Sequence, residues 1–532
     1  MRKKKSPISQ YVSTKKEPIF QSAENIKKSE FFISEKDAQE LNEKYEKKFK
    51  RGKRNKIIFV VFFTSLTIVA FSYFGYFLWK TIKVTNQMHE AQLSQNRTLS
   101  ENMRSILSPI VPSVATPLKG AENGRINILL LGAAGEKNAG RNLTDTVMVM
   151  SIDVKNKKVS LLSLPRDLYV KVPQTKTSVK INSVYKLGLS QGLGATLIKE
   201  TVENIIGLPI NYYFIVDFEG FTKIIDDIEG INIISQQDFH DTRYPGPNYS
   251  YETFSLSKGF HTLDGSTALK YVRERHSDPE GDFGRAKRQQ QVIQAVKSKL
   301  FSMGTLFNAH KLNEVLDTLG GNIKTDVSLE DVGGLISLSK DVDTQNINNV
   351  VIDAWKPNSL LKVSHISIGN MRAFILVPRV GNYSEIKDIA KNIFNQNELE
   401  KRKFAIAQED ASIEIVNKSG EKQLSGKVKI MLTENLGFKN VRISQNNNFK
   451  ENLMQTKVID NSKGLKLFTL DELLKKLPAI LADEKSADED IKSDFVIMLG
   501  EDLIDIYKFE TDSIEEYNEA QDSQSNFDFI DQ

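Results

Sequence analysis

The hydrophobic positions of this chain change period along its length, which predicts alternating strands and helices. Apolar runs of strand length predict buried strands over residues 125–132, 147–153, 159–164, 212–216, 348–353 and 373–377. Apolar residues at helical spacing predict helices over residues 195–206, 288–301, 306–319, 329–338 and 385–394. Together these elements predict an α/β domain over residues 125–396, in which a mixed sheet is flanked by helices.

A second, smaller α/β domain is predicted after a charged joint at residues 397–403. Its pattern predicts a strand over 411–416, a turn at 417–420, a helix over 424–436, strands near Val441 and Val458, and a last strand over 494–499. We therefore expect this domain to occupy residues 410–505.

Residues 57–79 carry no charged side chain over 23 positions, which is long enough to cross a bilayer as one helix. Seven Lys and Arg residues lie between positions 47 and 56, whereas two lie between positions 80 and 83. This asymmetry predicts a single-pass cell-membrane protein with a cytoplasmic N-terminus and extracytoplasmic domains. The lipid bilayer is therefore an expected partner.

The remaining segments are polar and differ in charge. Residues 1–56 carry 17 basic and 8 acidic side chains, and residues 481–532 carry 3 basic and 17 acidic ones. Residues 80–124 are rich in Gln, Asn and Ser, which is typical of a stalk. We expect disorder in the basic tail 1–56 and in an acidic tail 506–532.

Composition excludes several kinds of chemistry. Cysteine is absent, so thiol catalysis, cysteine-ligated metals and disulfides are excluded. The chain lacks the Gly-x4-Gly-Lys-Ser/Thr loop that cradles nucleotide phosphates, and ATP is normally absent outside the cytoplasm. A transferase in that location needs a donor that was activated before export. The six histidines are scattered and are interpreted as structural or surface residues, and no nucleic acid partner is expected.

The segment 263–291 holds the strongest candidate chemistry. Arg273 and Arg275 stand two apart, so in an extended chain both would point to one side. In a helix over 284–300, Arg285, Arg288 and Gln289 would share one face, with Asp282 as the cap. Guanidinium groups beside a helix N-terminus suit a phosphate or pyrophosphate. The alternative is that these arginines pair with the acidic residues of a solvated loop, Glu274, Asp278, Glu280 and Asp282.

Several short motifs in one order resemble a known family. They are NILLLG at 127–132, Asp145-Thr146, LPRDLYV at 164–170, Lys180-Ile-Asn182, DFxGF at 217–221, LDG at 263–265, ALxYVRxR at 268–275 and GDFGRxxRQ at 281–289. With them, residues 126–394 resemble the catalytic domain of the LytR-CpsA-Psr family, enzymes that attach glycopolymers to the bacterial cell wall. Residues 410–505 resemble the C-terminal domain that often accompanies it.

The resemblance implies a phosphotransferase. The donor would be a glycopolymer on a polyprenyl pyrophosphate, the acceptor a sugar hydroxyl of peptidoglycan, and the product a phosphodiester. The matching pyrophosphate-binding positions are Arg166, Arg273, Arg275, Arg285 and Gln289. Lys180 is either a further cation of this site or an exposed lysine at a strand end. A hydrolase of the same donor and a non-catalytic polymer-binding protein are the alternative functions.

The resemblance also implies Mg²⁺, or another divalent cation, at Asp145. Family members carry a second acidic residue where this chain has Ala133. Either Asp145 holds the metal with phosphate oxygens and water, which we favour, or Glu136 or Asp153 contributes, or the metal is weak.

Two assignments stay open from the residues alone. The base that takes the acceptor proton is Asp282, unless it is only a helix cap, or Asp167, unless it only pairs with an arginine. The aromatic residues at 212–214, with Phe218 and Phe221, fit core packing better than a pocket for a polyprenyl chain.

Overall fold

The computed structural model describes Tyr76, Trp79 and residues 117–527, apart from the gaps 137–139, 247–249, 303–322, 329–330, 332–333, 336, 340–341, 357, 370, 446–451 and 483–491. The chain divides into the units 1–77 and 78–532. The expected tail 1–56 and helix 306–319 lie outside the described residues. So does the expected span 57–79, except for Tyr76 and Trp79, which are helical and exposed. No helix among the described residues has the length and apolar character that crossing a membrane requires.

The elements of the catalytic region follow in chain order. They are β1 (Arg125–Ala133), β2 (Thr144–Asp153), β3 (Lys158–Leu164), β4 (Tyr169–Lys171), β5 (Ser178–Lys180), α1 (Val184–Ser190), α2 (Thr196–Ile206), β6 (Tyr212–Asp217), α3 (Phe218–Asp227), β7 (Ile231–Ser235), β8 (Phe239–Pro245), β9 (Tyr251–Leu256), β10 (Gly259–Leu263), α4 (Gly265–Arg273), α5 (Gly281–Ser302), β11 (Ile323–Thr325), β12 (Asp343–Val351), β13 (Leu361–Ile368), β14 (Met371–Pro378) and α6 (Ser384–Lys391).

A six-stranded mixed sheet in the order β11-β6-β1-β2-β3-β12 forms the centre of this region. β1 pairs antiparallel with β2 and parallel with β6, and β3 pairs parallel with β12. Its strands are apolar on both faces because helices and hairpins cover both, which is why their sequences read as continuous apolar runs. The expected mixed α/β fold is confirmed here.

The C-terminal region contains α7 (Asn397–Glu409), β15 (Ser412–Asn417), α8 (Leu424–Ile430), β16 (Asn440–Ile443), β17 (Lys457–Asp460), α9 (Leu467–Lys476), β18 (Ile480–Leu481), β19 (Phe495–Leu499) and α10 (Ile514–Phe527). Five strands form a sheet in the order β16-β15-β19-β17-β18 around a separate apolar core. The expected helix over 424–436 is instead α8 followed by a π turn, Met431–Asn435.

Three expectations about the connecting segments are wrong. The charged joint 397–403 is the first half of α7. The end of the expected stalk 80–124 belongs to the folded unit, because Leu118 is buried and the Lys119 amide donates to the Tyr212 hydroxyl. The acidic tail was expected to be disordered, yet residues 514–527 form α10, because Tyr517 packs into the catalytic core and compensates for the polar composition around it.

Candidate functional site

Asp145 is positioned by an irregularity in the central sheet. The register of β1 against β2 shifts between Gly132 and Ala133, so that Gly132 pairs with Thr146 and Ala133 with Thr144. Asp145 is the extra residue, and such a bulge redirects its side chain relative to regular alternation. The Asp145 carboxylate is 34% exposed and lies 3.2 Å from Arg166 Nη1.

The turn after β3 brings three charged residues together. Arg166 Nε lies 3.4 Å from Asp167 Oδ2, and Lys180 Nζ, at the end of β5, lies 2.7 Å from Asp167 Oδ1. The Tyr517 hydroxyl donates to Asp167 Oδ2 at 3.0 Å. Asp167 is therefore buried and bonded by cations and a phenol, which favours its interpretation as an arginine partner over that of a base. Lys180 is half-buried, not an exposed strand-end lysine.

Arg273 and Arg275 line the same cavity, but not through an extended chain. Arg273 is the last residue of α4, and Glu274 after it is extended, so the expectation of one extended segment is wrong for Arg273. The Arg273 guanidinium lies 4.5 Å from the Phe218 ring centre and 5.8 Å from that of Tyr244. These aromatic faces orient the cation while leaving it at the cavity wall.

The polar residues of helix α5 lie on different sides of the helix. The expectation that Arg288 lies on the same face as Arg285 and Gln289 is wrong. Arg285 and Gln289 line the cavity, and Arg285 Nη2 donates to the Asp145 carbonyl oxygen at 3.4 Å. Arg288 is buried, pairs with the Asp278 carboxylate and donates to the carbonyl oxygens of Tyr271 and Glu274. Arg288 thus pairs with an acidic residue of the preceding loop, as the alternative expected, but the pair is buried and does not lie in a solvated loop.

The start of α5 also corrects the expected role of Asp282. The helix begins at Gly281, so Asp282 lies inside its first turn and does not precede it as a cap. Gly284 allows the close approach of the preceding loop, because a Cβ at that position would overlap the Asp278 carboxylate. The loop carrying Arg275 is thereby held against α5.

These elements enclose a cavity of about 1300 Å³. Its described lining contains six cationic side chains, Arg166, Lys180, Arg273, Arg275, Arg285 and Arg372, and four acidic ones, Asp145, Asp167, Asp217 and Glu274. The excess of positive charge favours an anionic ligand. The structure thus brings together every pyrophosphate-binding residue expected from the sequence.

Much of the remaining cavity lining is apolar. It includes Met150, Phe214, Phe221, Leu269, Val292 and Val296. The aromatic residues divide between the two roles that their sequence left open: Tyr212 and Tyr213 are buried in the core, whereas Phe214, Phe218 and Phe221 line the cavity. Tyr212 and Phe214 share one face of β6 and Tyr213 lies on the other, so alternation along the strand does not separate the two roles, and Phe218 and Phe221 belong to α3.

No sequence motif indicated a cluster of two acidic side chains and a histidine next to Arg273 and Arg275. The ligand atoms of Asp241, Glu274 and His276 lie within 4.8 Å of one another, and His276 Nδ1 lies 2.9 Å from Asp241 Oδ2. Glu274 Oε1 accepts from the Ser277 amide, whereas its buried Oε2 has no hydrogen-bond partner among the residues that the structure describes. Burial raises the pKa of Glu274; hydrogen bonds from Ser277 oppose that rise and the Asp241 charge adds to it.

Glu274→Gln is expected to stabilise the protein at pH values above the ordinary pKa of a glutamate. Because the folded pKa is raised, the unfolded chain ionises first as pH increases, and the wild type loses stability from the ordinary value near 4.5 up to the raised value. Thermal melts across pH should show the variant gaining on the wild type through that window and equalling it below. The partly exposed Glu280, changed to Gln, is the control, and equal pH profiles for the wild type and Glu274→Gln would contradict the assignment.

The oxygen ligands near Asp145 fit Mg²⁺ only with help from a substrate. In the part of the chain that the structure describes, Asp145 belongs to no group of three converging His, Asp or Glu side chains. Asp153 cannot contribute, because it lies at the opposite end of β2, and Glu136 is exposed and absent from the cavity lining. One carboxylate with phosphate oxygens and water is a donor set that Mg²⁺ accepts.

Comparisons with known proteins agree with the motifs. The model of the LytR_cpsA_psr family matches residues 75–371, more than half of the chain. Regulatory protein MsrR of Staphylococcus aureus is 39% identical over 207 residues, which cover 38% of this chain and 57% of that protein. TagU of Oceanobacillus iheyensis, described as a polyisoprenyl-teichoic acid–peptidoglycan teichoic acid transferase, is 36% identical over 217 residues, covering 41% of this chain and 63% of that protein. The chain thus spans about three-fifths of the length of these relatives.

Solved structures align over about half of the chain. The crystal structure of TagV from B. subtilis aligns with a TM-score of 0.40 and 26% identity, covering 50% of this chain and 96% of that one. A structure of TagT bound to LI-WTA aligns with a TM-score of 0.38 and 24% identity, covering 52% of this chain and 92% of that one.

Proposed function

Because the chain belongs to the LytR-CpsA-Psr family, we propose that it moves a glycopolymer from a polyprenyl-pyrophosphate carrier to a sugar hydroxyl of peptidoglycan, forming a phosphodiester. The observation that carries this proposal is that five cationic side chains line one cavity together with a large apolar surface; we call these five, Arg166, Lys180, Arg273, Arg275 and Arg285, the cationic wall. A donor that carries a pyrophosphate and a long apolar chain in one molecule would use both the charges and the apolar surface.

The cationic wall would act on the pyrophosphate by position and charge. Phosphoryl transfer spreads negative charge over the oxygens of the phosphorus atom, so fixed guanidinium groups stabilise the transition state. Arg273 stands on the Phe218 ring and Arg285 reaches the Asp145 carbonyl, so both are oriented before a donor binds. Bond cleavage would leave polyprenyl phosphate behind and join the glycosyl phosphate to the acceptor oxygen, which loses its proton.

The apolar part of the cavity would take the polyprenyl chain. Its wall is built by the inner faces of α3, α4 and α5 and by the central sheet, through residues such as Phe221, Leu269 and Val296. Burying apolar chain there contributes roughly 25 cal/mol per Å², which favours a lipid-linked donor over the free sugar phosphate. The pyrophosphate that would bind the cationic side chains and the polyprenyl chain that would bind the apolar residues therefore belong to one donor molecule.

We also propose that residues 57–79 anchor the chain in the cell membrane, with the N-terminus cytoplasmic and the catalytic domain outside. The support is the 23-residue uncharged run and the seven basic residues before it. The donor lipid and the peptidoglycan acceptor would then meet on the same side of the bilayer.

Mg²⁺ at Asp145 would supply neutralising charge to the donor oxygens. We expect Mg²⁺ with inorganic pyrophosphate to stabilise the wild-type chain by about 2.7 kcal/mol at roughly 100 times Kd, and Asp145→Asn to lose the Mg²⁺-dependent part. Differential scanning calorimetry with and without Mg²⁺ measures this. Asp153→Asn, at the other end of β2, is the matched control and should keep the shift. If Asp145→Asn retains the Mg²⁺-dependent stabilisation, the assignment of the metal to Asp145 is wrong.

The decisive test incubates the purified full chain with a labelled polyprenyl-pyrophosphate oligosaccharide and Mg²⁺, with and without a peptidoglycan oligomer. Label joined to the oligomer supports transfer. Release of phosphorylated oligosaccharide in both arms would show that the protein is a hydrolase and not a transferase. Binding without turnover would show that it is a non-catalytic polymer-binding protein.

A further inference from the structure

A segment from the C-terminal region returns to the catalytic cavity. We call residues 508–520 the C-terminal strap; it leads out of the second core and contains the first two turns of α10. Tyr517 is 3% exposed and belongs to the same apolar cluster as the central strands, and Ala520 lines the cavity. The strap therefore forms part of the site wall although it follows the second domain in sequence.

The strap is held in place by its own ion pairs and hydrogen bonds. Asp512 Oδ2 lies 2.7 Å from His365 Nδ1 on β13, and its Oδ1 lies 2.6 Å from Arg372 Nη2 on β14. Lys362 Nζ donates to the Phe509 carbonyl oxygen at 2.7 Å. Because these contacts are made to a rigid hairpin, they fix the register of the strap along the cavity.

Tyr517 reaches a carboxylate that also binds two residues of the cationic wall. Asp167 accepts from the Tyr517 hydroxyl at 3.0 Å and pairs with Lys180 at 2.7 Å and with Arg166 at 3.4 Å. Asp167 is buried, so its charge must be satisfied by these neighbours and cannot be satisfied by bulk water. The Tyr517 hydroxyl is a neutral donor to Asp167 Oδ2, so it satisfies part of the hydrogen-bonding requirement of this carboxylate without using a cation.

We propose that Tyr517 is a positioning residue for the pyrophosphate site, which acts through Asp167 to leave Arg166 and Lys180 available to the donor. Without the phenol, the Asp167 carboxylate draws both cations more tightly and competes with the anionic ligand. The strap thereby makes the segment that follows the second domain part of the active site. This inference rests on the proposed function for its physiological ligand, but inorganic pyrophosphate tests it independently.

Tyr517→Phe in the full chain is the test, because it removes only the hydroxyl. We expect inorganic pyrophosphate, titrated by calorimetry in the presence of Mg²⁺, to bind roughly tenfold more weakly than to the wild type, which corresponds to about 1.4 kcal/mol. In the transfer assay the donor KM should rise by a similar factor, with a smaller change in kcat.

Tyr507→Phe is the matched control. Tyr507 is buried in the second core and its hydroxyl donates to the Val380 carbonyl oxygen at 3.0 Å, away from Asp167. Both variants lose one buried hydroxyl group, so we expect similar falls in melting temperature. Pyrophosphate binding should become weaker in Tyr517→Phe alone. Equal pyrophosphate affinity in the two variants would overturn the positioning role even if transfer is intact. Weaker binding in Tyr517→Phe, in a protein that does not transfer polymer, would retain the role and reject the proposed function.

Discussion

Replacing Arg275 with alanine is expected to lower the rate of polymer transfer by roughly 10²- to 10³-fold, as loss of one preorganised donor to a developing anion does. Arg275 lines the same cavity as Arg273 and Arg285, and it belongs to a loop that is held against α5. Alanine removes charge that matters most when the pyrophosphate bond breaks, so kcat should fall more than the donor affinity. Single-turnover transfer of the labelled donor separates the two quantities.

Arg243→Ala is the control for that experiment. Arg243 is an exposed arginine on β8 and is not part of the described cavity lining, so the substitution changes net charge equally without touching the proposed site. We expect its rate to stay within about twofold of the wild type, since isolated surface charges contribute little. Similar rates for Arg275→Ala and Arg243→Ala would reject the assignment of Arg275 to the pyrophosphate.

Arg288→Ala is expected to lower the free energy of unfolding of the catalytic region by about 3–5 kcal/mol. The substitution leaves the buried Asp278 carboxylate without its cation and two carbonyl oxygens without their donors. Trp355 lies 6.1 Å from Phe283 at the start of α5, so its fluorescence during urea unfolding reports on this helix. The rate of polymer transfer should also fall, because the ion pair between Asp278 and Arg288 holds the loop that carries Arg275 against α5.

The neighbouring Lys287 provides the contrast within one helix. Its ammonium pairs with Glu280 near the surface, and Lys287→Ala should change the free energy of unfolding by less than about 1 kcal/mol. If both variants unfold at the same urea concentration, the Arg288 pair is not a stabilising element.

Sequence periodicity was sufficient for four strands of the central sheet, since β1, β2, β3 and β6 leave long apolar runs, but it missed the three-residue edge strand β11. It missed the short hairpin β8–β9, where burial alternates irregularly around a register shift between Asp241 and Tyr244. Local pattern also could not predict α10: its composition is polar, and the contact that orders it is made by Tyr517 with residues far away in the chain.

The candidate site divides in the same way. Motif spacing identified the residues of the cationic wall, because Arg273, Arg275 and Arg285 lie close together in sequence. It could not distinguish Arg285 from Arg288, which differ only in which side of α5 faces the packed loop. Nor could it identify Tyr517, Arg372 or the Glu274 group, because each reaches the site through tertiary contacts.

The Asp167–Tyr517 hydrogen bond joins residues 350 positions apart. A chain that emerges from its N-terminus can form the central sheet and both arginine motifs well before residue 517 is synthesised. During that interval the buried Asp167 lacks the Tyr517 hydroxyl, while Arg166 and Lys180 already stand beside it. The pocket is therefore finished only after residue 517 has been synthesised and has packed against Asp167, which is later than the arginine motifs.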